Sequence, residues 1–279
     1  MRQLALYANE FDGLGPTTAM TALQIVSIAI ALFIGMLCFA ELGRWIGRNR
    51  AQNKTEDLGG SFAVLEGGVF GLMGLLIALT FSTSASRLET RRQMVVDETN
   101  AIGTAWLRIA LLPEANQDAM RQRFRQYVNT RLAFFREMTN VEAAARARAR
   151  TNTLQSEIWS EAVAACGKTP SIVAANLFLP ALNTMIDLTT SGTMLAKTHL
   201  PRLVRALLVL SPLLCAFLAG IESSPRAQRV WMPTILFALM LSLTVYVIID
   251  LDYPRVGLIR VDSVDEALVE LRASMESSR

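Results

Sequence analysis

The chain has 279 residues and a single histidine, His199, with only three cysteines. One imidazole cannot complete a typical histidine zinc site. Nor can it serve a relay whose serine is missing, since neither G-x-S-x-G nor H-E-x-x-H occurs. Cys38 and Cys215 fall in apolar runs and Cys166 stands alone in a polar half, so no disulfide framework is visible and the redox compartment stays open. An excess of one charge is also missing: 27 Lys and Arg stand against 24 Asp and Glu. The arginines alternate with carboxylates and no basic face carries stacking aromatics, so no nucleic-acid partner is expected. Ala162, Gly167, Lys168 and Thr169 fit a loose phosphate-loop spacing, but the segment before them has a helical pattern, one glycine is present and Pro170 follows. A helix C-cap at Gly167 accounts for them better. Internal repeats, low-complexity linkers and alternating strand patterns are absent. No catalytic residue, metal or cofactor is expected, and the protein is not expected to be an enzyme.

Long apolar runs are what the chain does have. It is 52% hydrophobic, with a mean hydropathy of +0.35. Four runs are long enough to cross an apolar slab about 30 Å thick. They lie at about 19–42, 62–81, 203–221 and 231–251. The expected fold class is all-α: a polytopic membrane protein with four transmembrane helices and an extramembrane helical bundle between spans two and three. The divisions are 1–81 for the N-terminal tail and first hairpin, 82–200 for the helical domain, 201–251 for the second hairpin, and 252–279 for a tail with a short amphipathic helix. The first residues carry Glu10 and Asp12 and lack a clean apolar stretch, so no signal peptide is expected. The lipid bilayer is the first expected partner, and the expected location is a cell inner membrane, multi-pass. Orientation stays open. Arg44, Arg48, Arg50 and Lys54 follow the first span, whereas Arg87, Arg91, Arg92, Arg202, Arg255 and Arg260 crowd the opposite face.

Within 82–200, Leu88, Val95, Thr99, Ile102, Trp106 and Ile109 form one stripe, which Pro113 ends. Met120, Phe124, Tyr127, Val128, Phe135 and Met138 form a second, with Pro113 suited to its first turn. Leu154, Ile158 and Ala162 mark a third helix that stops near Gly167. A fourth covers 171–197, bent at Pro180. Near the end, Ser263 and Glu266 suit a capping box, and Val264, Leu268, Leu271 and Met275 form a narrow seam for the bundle or for a partner chain.

The stretch from Gly67 to Arg108 organises the rest. Gly67, Gly71, Gly74, Ala78, Ser82 and Ala85 recur at steps of three and four, one face of a single helix that runs from lipid into water. Such a stripe lets another backbone approach closely, or forms the wall of a narrow ion path. A polar line of Thr80, Thr83, Ser84, Arg87 and Arg91 is expected beside it. Asp250 and Asp252 end the fourth span on the side where Arg87, Arg91 and Arg92 leave the second; ion pairing is one reading and a divalent-cation site the other. Glu41, Glu66 and Glu222 gather at the opposite interface near Arg44, Arg226 and Arg229, as ion pairs or as a charged vestibule.

Two blocks carry a resemblance that covers most of the chain. The block GLLIALTFSTSASRLETRRQMVVDETNAIGTAWLRIALLP, with the later IIDLDYPRVGLIRV, resembles the bacterial bestrophin-like domain of unknown function. Bestrophins are pentameric anion channels whose second helix lines the pore and carries an FRTN-like turn before an arginine helix. Phe81, Thr83, Ala85 and Arg87 echo that turn, while Ser82 replaces its arginine and Ser84 its asparagine. The resemblance implies a homo-oligomer, a pentamer, that conducts small anions along an axis faced by span two. The pore-lining candidates are Gly71, Gly74, Ala78, Leu79, Thr80, Phe81, Thr83, Arg87 and Arg91. Leu79 and Phe81 would form the constriction. The alternative is a non-conducting scaffold whose helical domain binds a partner.

Overall fold

The computed structural model describes residues 22–51, 59–137, 140–168, 172–223, 231–253 and 262–277. Among these the secondary structure is helical throughout: α1 Ala22–Ala51, α2 Gly59–Arg108, a 3-10 turn Ile109–Leu111, α3 Glu114–Arg136, α4 Val141–Gly167, α5 Ile172–Lys197, α6 Arg202–Glu222, α7 Trp231–Asp252 and α8 Asp262–Ser277. Met138, Lys54, Arg226, Arg229, Arg255 and Arg260 lie outside the described residues.

Five helical stretches are long and apolar enough to cross a membrane: Ala22–Asn49, Val64–Leu111, Ile172–Ala196, Arg202–Glu222 and Trp231–Asp252. That is one more than the hydropathy runs suggest, the addition being α5. The protein is thus all-helical with the content of a multi-pass membrane protein. The first helix also persists to Ala51, beyond the expected polar loop boundary at Arg44. Packing explains the extension, because Arg44 is buried on α6 rather than solvated.

α1 and α6 cross at backbone distance. A Cβ on Gly43 would lie 2.1 Å from the Phe217 carbonyl oxygen, and one on Gly220 would lie 2.1 Å from that of Ala40. Small residues at such a crossing let apolar helices gain dispersion contact where lipid supplies no hydrophobic drive. α7 completes this apolar group through Ala238, Val245 and Ile249.

The second core lies in the polar half. The distal part of α2, α3, α4 and α5 bury Ile102, Trp106, Phe124, Val128, Leu154, Ile158, Phe178 and Leu182. All three expected stripes face this core. Pro113 is the residue before α3, its ψ of 139° being extended, so it starts the helix from outside the first turn. α4 is one helix across the arginine-rich tract and the Leu154 stripe, and Asn140 caps it by accepting from the Ala143 N–H at 3.1 Å. It ends at Gly167 as expected, but no described glycine has positive φ, so this is not a left-handed cap. α5 runs through Pro180, and α6 through Pro212, without a break in the helix.

α8 docks on the protein's own bundle. Leu268 and Met275 are fully buried, and Arg125 donates to the Met275 carbonyl through Nε at 3.2 Å and Nη2 at 2.9 Å. Ser263 of the expected capping box and Val264 fall outside the described side chains, while its other half, Glu266, is exposed.

Candidate functional site

α2 links the two cores. At 50 residues it is about 75 Å long, enough to cross a bilayer and continue well into solvent. No proline interrupts it, and the helix is continuous through Ser82–Ser86. Its two faces have different surroundings.

The small face is uncovered. A Cβ on Gly67, Gly68, Gly71 or Gly74 would meet nothing within 4 Å. Ala78 and Ser82 on that face are exposed, as are Leu79 and Phe81 at 60% and 44%; Thr83 is exposed too but lies about 150° round the helix from the glycines. The Thr83 hydroxyl is turned back along the helix and donates to the Leu79 carbonyl at 2.7 Å.

Thr80, Arg87 and Arg91 are elsewhere. At 100° per residue they lie about 150° around the helix from the glycines, facing α6 and α7. Thr80 is only 5% exposed and donates to the Leu76 carbonyl. The polar line is therefore not beside the small residues but almost behind them. The reason is energetic: guanidinium groups near an apolar boundary need acceptors, and α7 and the α5–α6 link supply them.

Those acceptors form a junction. Arg87 Nε lies 4.0 Å from Asp252 Oδ1. Arg91 donates through Nη1 to the Asp252 carbonyl at 3.0 Å and through Nη2 to the Thr198 carbonyl at 2.6 Å. The other oxygen of Asp252, Oδ2, accepts the Leu200 N–H at 2.9 Å and lies 3.7 Å from His199 Nδ1. The His199 ring stacks on Tyr253 at 4.5 Å, and Arg205 donates to the Tyr253 hydroxyl at 3.1 Å. α2, α7 and the α5–α6 link thus meet at one carboxylate that is 1% exposed, with α6 joined to it through Tyr253. Asp250 is also buried, on the same helix end, and Arg92 turns instead to Glu89 at 4.0 Å.

Further along the packed face of α2, Glu98 enters the bundle core. Arg131 donates to both its oxygens, Nε at 2.6 Å and Nη2 at 2.9 Å. The Phe134 and Phe135 rings lie 4.9 and 4.8 Å from that guanidinium. Thr189 donates to Glu98 at 3.3 Å and shares a 2.7 Å hydrogen bond with the Tyr127 hydroxyl, to which Gln155 also donates. Burial pushes the Tyr127 phenol up to about 12, and the Glu98 charge adds to the rise. Burial lowers the Arg131 affinity for its proton, but the Glu98 carboxylate outweighs it and the net shift is upward.

At the other end of the spans the carboxyl groups of Glu66 and Glu222 are close neighbours. A cavity of about 310 Å³ opens beside Glu222 between α1, α6 and α7, with Arg44 and Trp231 in its wall. Among the described residues no three His, Cys, Asp or Glu side chains could hold a metal ion together. Sequence reading missed the Glu98–Arg131 pair in the bundle core and the contacts of Thr198 and Tyr253 at the junction. A glutamate and an arginine on apolar helix faces were the available signal: Glu98 lies between Val95 and Ile102, and Arg131 between Val128 and Phe135.

Comparison with known proteins gives one result. A family model described as Bestrophin-like domain matches residues 29–265. No curated protein and no solved structure matches the chain.

Proposed function

The chain belongs to the bestrophin-like family, and from that premise we propose that it is a homo-oligomeric inner-membrane channel for small anions, with the small face of α2 turned to the axis. The observation that carries this reading is the uncovered line Gly67, Gly71, Gly74, Ala78 and Ser82, set in a broad exposed arc that also carries Leu72, Leu75 and Leu79 while Met73, Thr80 and Ser84 pack inward. Narrow side chains leave room for an ion between copies, and Leu79 and Phe81 flank the line as constriction candidates. In this reading the spans are α1, the first part of α2, α6 and α7. α5 stays with the extramembrane bundle, because its buried face packs beside α3, which carries Arg121, Arg123, Arg125 and Arg131. Lipid would not tolerate that neighbour. Arg87 and Arg91 hold the junction and act on the ion only through their field. Arg92 shares the angular position of the small face and is 38% exposed, so it supplies the cation nearest the mouth.

Planar-bilayer recording of cysteine variants at Ala78 and Ser82 tests the assignment. Thiol modification with a charged reagent is expected to cut the current at both sites. A protein that conducts and is unaffected at both removes the α2 axis.

One observation favours a second reading, a non-conducting scaffold. Leu107, Ile172 and Val173 are 75%, 73% and 50% exposed at the far end of the bundle, where Arg108 donates to the Leu177 carbonyl and so holds the two helices together. Purified protein that is a monomer in detergent and passes no current supports that reading over the channel.

A further inference from the structure

We propose that His199 and Asp252 form a proton-operated latch joining the helical bundle to the end of α7. The bundle re-enters the apolar helices through one short link, Thr198 to Pro201, between α5 and α6. Besides the apolar packing of Leu200, three polar or ring contacts with α2 and α7 hold that link: Arg91 to the Thr198 carbonyl, Asp252 to the Leu200 N–H, and the His199 ring on Tyr253. A fourth contact is poised but not made. His199 Nδ1 is buried without a hydrogen-bond partner, and the nearest carboxylate oxygen, Asp252 Oδ2, stands 3.7 Å away. Donor and acceptor bond at about 2.7–2.9 Å when both are charged. Closure therefore needs a movement of about 1 Å.

Protonation supplies the force. Histidine is the side chain whose ordinary titration falls between about pH 5 and 8, and His199 is the only histidine in the chain. An imidazolium gains attraction to the buried carboxylate and a cation–π contact with the Tyr253 ring below it. The charged groups facing it are Arg87 and Arg91 on α2, Arg205 on α6, and Asp250, Asp252 and Tyr253 on α7. The arginines oppose the added charge, but each already has a partner in the junction, whereas Asp252 Oδ2 stands 3.7 Å from the imidazole Nδ1. Acid closes the latch and alkali releases it. The link to α7 is tighter at pH 6 than at pH 8, and the effect does not depend on whether the protein conducts.

Hydrogen exchange reads this directly, because the Leu200 amide is bonded to the same carboxylate. In the full chain in detergent, its protection, corrected for the intrinsic rate and referred to the buried Ile158 amide, is expected to be about fivefold higher at pH 6 than at pH 8, equivalent to ~1 kcal/mol. His199→Gln, which keeps a planar polar side chain and never charges, is expected to lose the pH dependence. Equal protection at the two pH values in the wild type overturns the proposal even if the variant does not fold. So does a wild-type response that His199→Gln reproduces.

Discussion

Replacing Glu98 with Gln should unfold the bundle well before the wild type. Glu98 and Arg131 are each 1% exposed, and the pair is bidentate. The variant keeps the volume and one neutral amide oxygen as acceptor but removes the counter-charge, leaving a buried guanidinium with that oxygen and the Phe134 and Phe135 rings to face it. Breaking one half of a buried pair costs about 3–5 kcal/mol. For a unit of this size each kcal/mol lowers the midpoint by about 2–4 °C, so the apparent Tm should fall by about 10 °C. Circular dichroism of the detergent-purified protein during heating measures it. The companion variant separates the pair's net worth from the cost of orphaning one member. Glu98→Leu with Arg131→Met fills the space with apolar side chains and should recover most of the loss. A single variant within about 1 kcal/mol of wild type refutes the reasoning, because Arg131 would then have found another partner or water. A double variant as unstable as the single one refutes it differently, making the loss a packing effect.

Two further outcomes follow from the same structure. Tyr127 has its folded-state pKa raised from 10.0 to about 12, so its contribution is complete below pH 10 and is lost as pH rises towards 12. The loss amounts to roughly 3 kcal/mol over that window, and Tyr127→Phe should flatten it in alkaline denaturation monitored by circular dichroism. Gly220→Ala should force α1 from α6, since its Cβ would stand 2.1 Å from the Ala40 carbonyl, and a cost of ~1–3 kcal/mol or more should lower the Tm. Gly74→Ala, with nothing within 4 Å, should leave the fold intact in the same scan.

The helices were legible because their signals are local. Periodicity places Val95, Ile102, Phe124 and Ile158 on inward faces, and length places the apolar runs, without any knowledge of neighbours. The partner of a given side chain is not local. Arg87 and Asp252, 165 positions apart, could be matched only because both end spans on one side, and the half of the helix that faces inward depends on where α6 and α7 settle. α5 lies in the expected helical domain yet is long and apolar enough to be a span, for a related reason. A helix buried against other helices and one buried in lipid are both apolar around much of their circumference, and composition alone does not separate them. Its neighbours do, because α3 brings Arg131 into the core that α5 also lines.

The placement of the arginines constrains what α2 can do in an assembly. One helix face cannot both pack against its own chain and line an axis. Arg87 and Arg91 are committed to the junction by an ion pair and two backbone carbonyls, so bringing them to an axis means breaking contacts with α7 and the α5–α6 link. Each such guanidinium bond is worth about 1.5–3 kcal/mol when buried. Rotating α2 to expose them would also bury Gly71 and Gly74 against nothing of matching shape. The small face is already free, and using it costs none of this. An axis built on that face leaves the arginine face to transmit movement instead: a displacement of Thr198, His199 or Asp252 acts on α2 through Arg87 and Arg91, about one to three helical turns beyond Phe81 and Thr83. Contact with the ion and coupling to the bundle are then carried by opposite sides of the same rod.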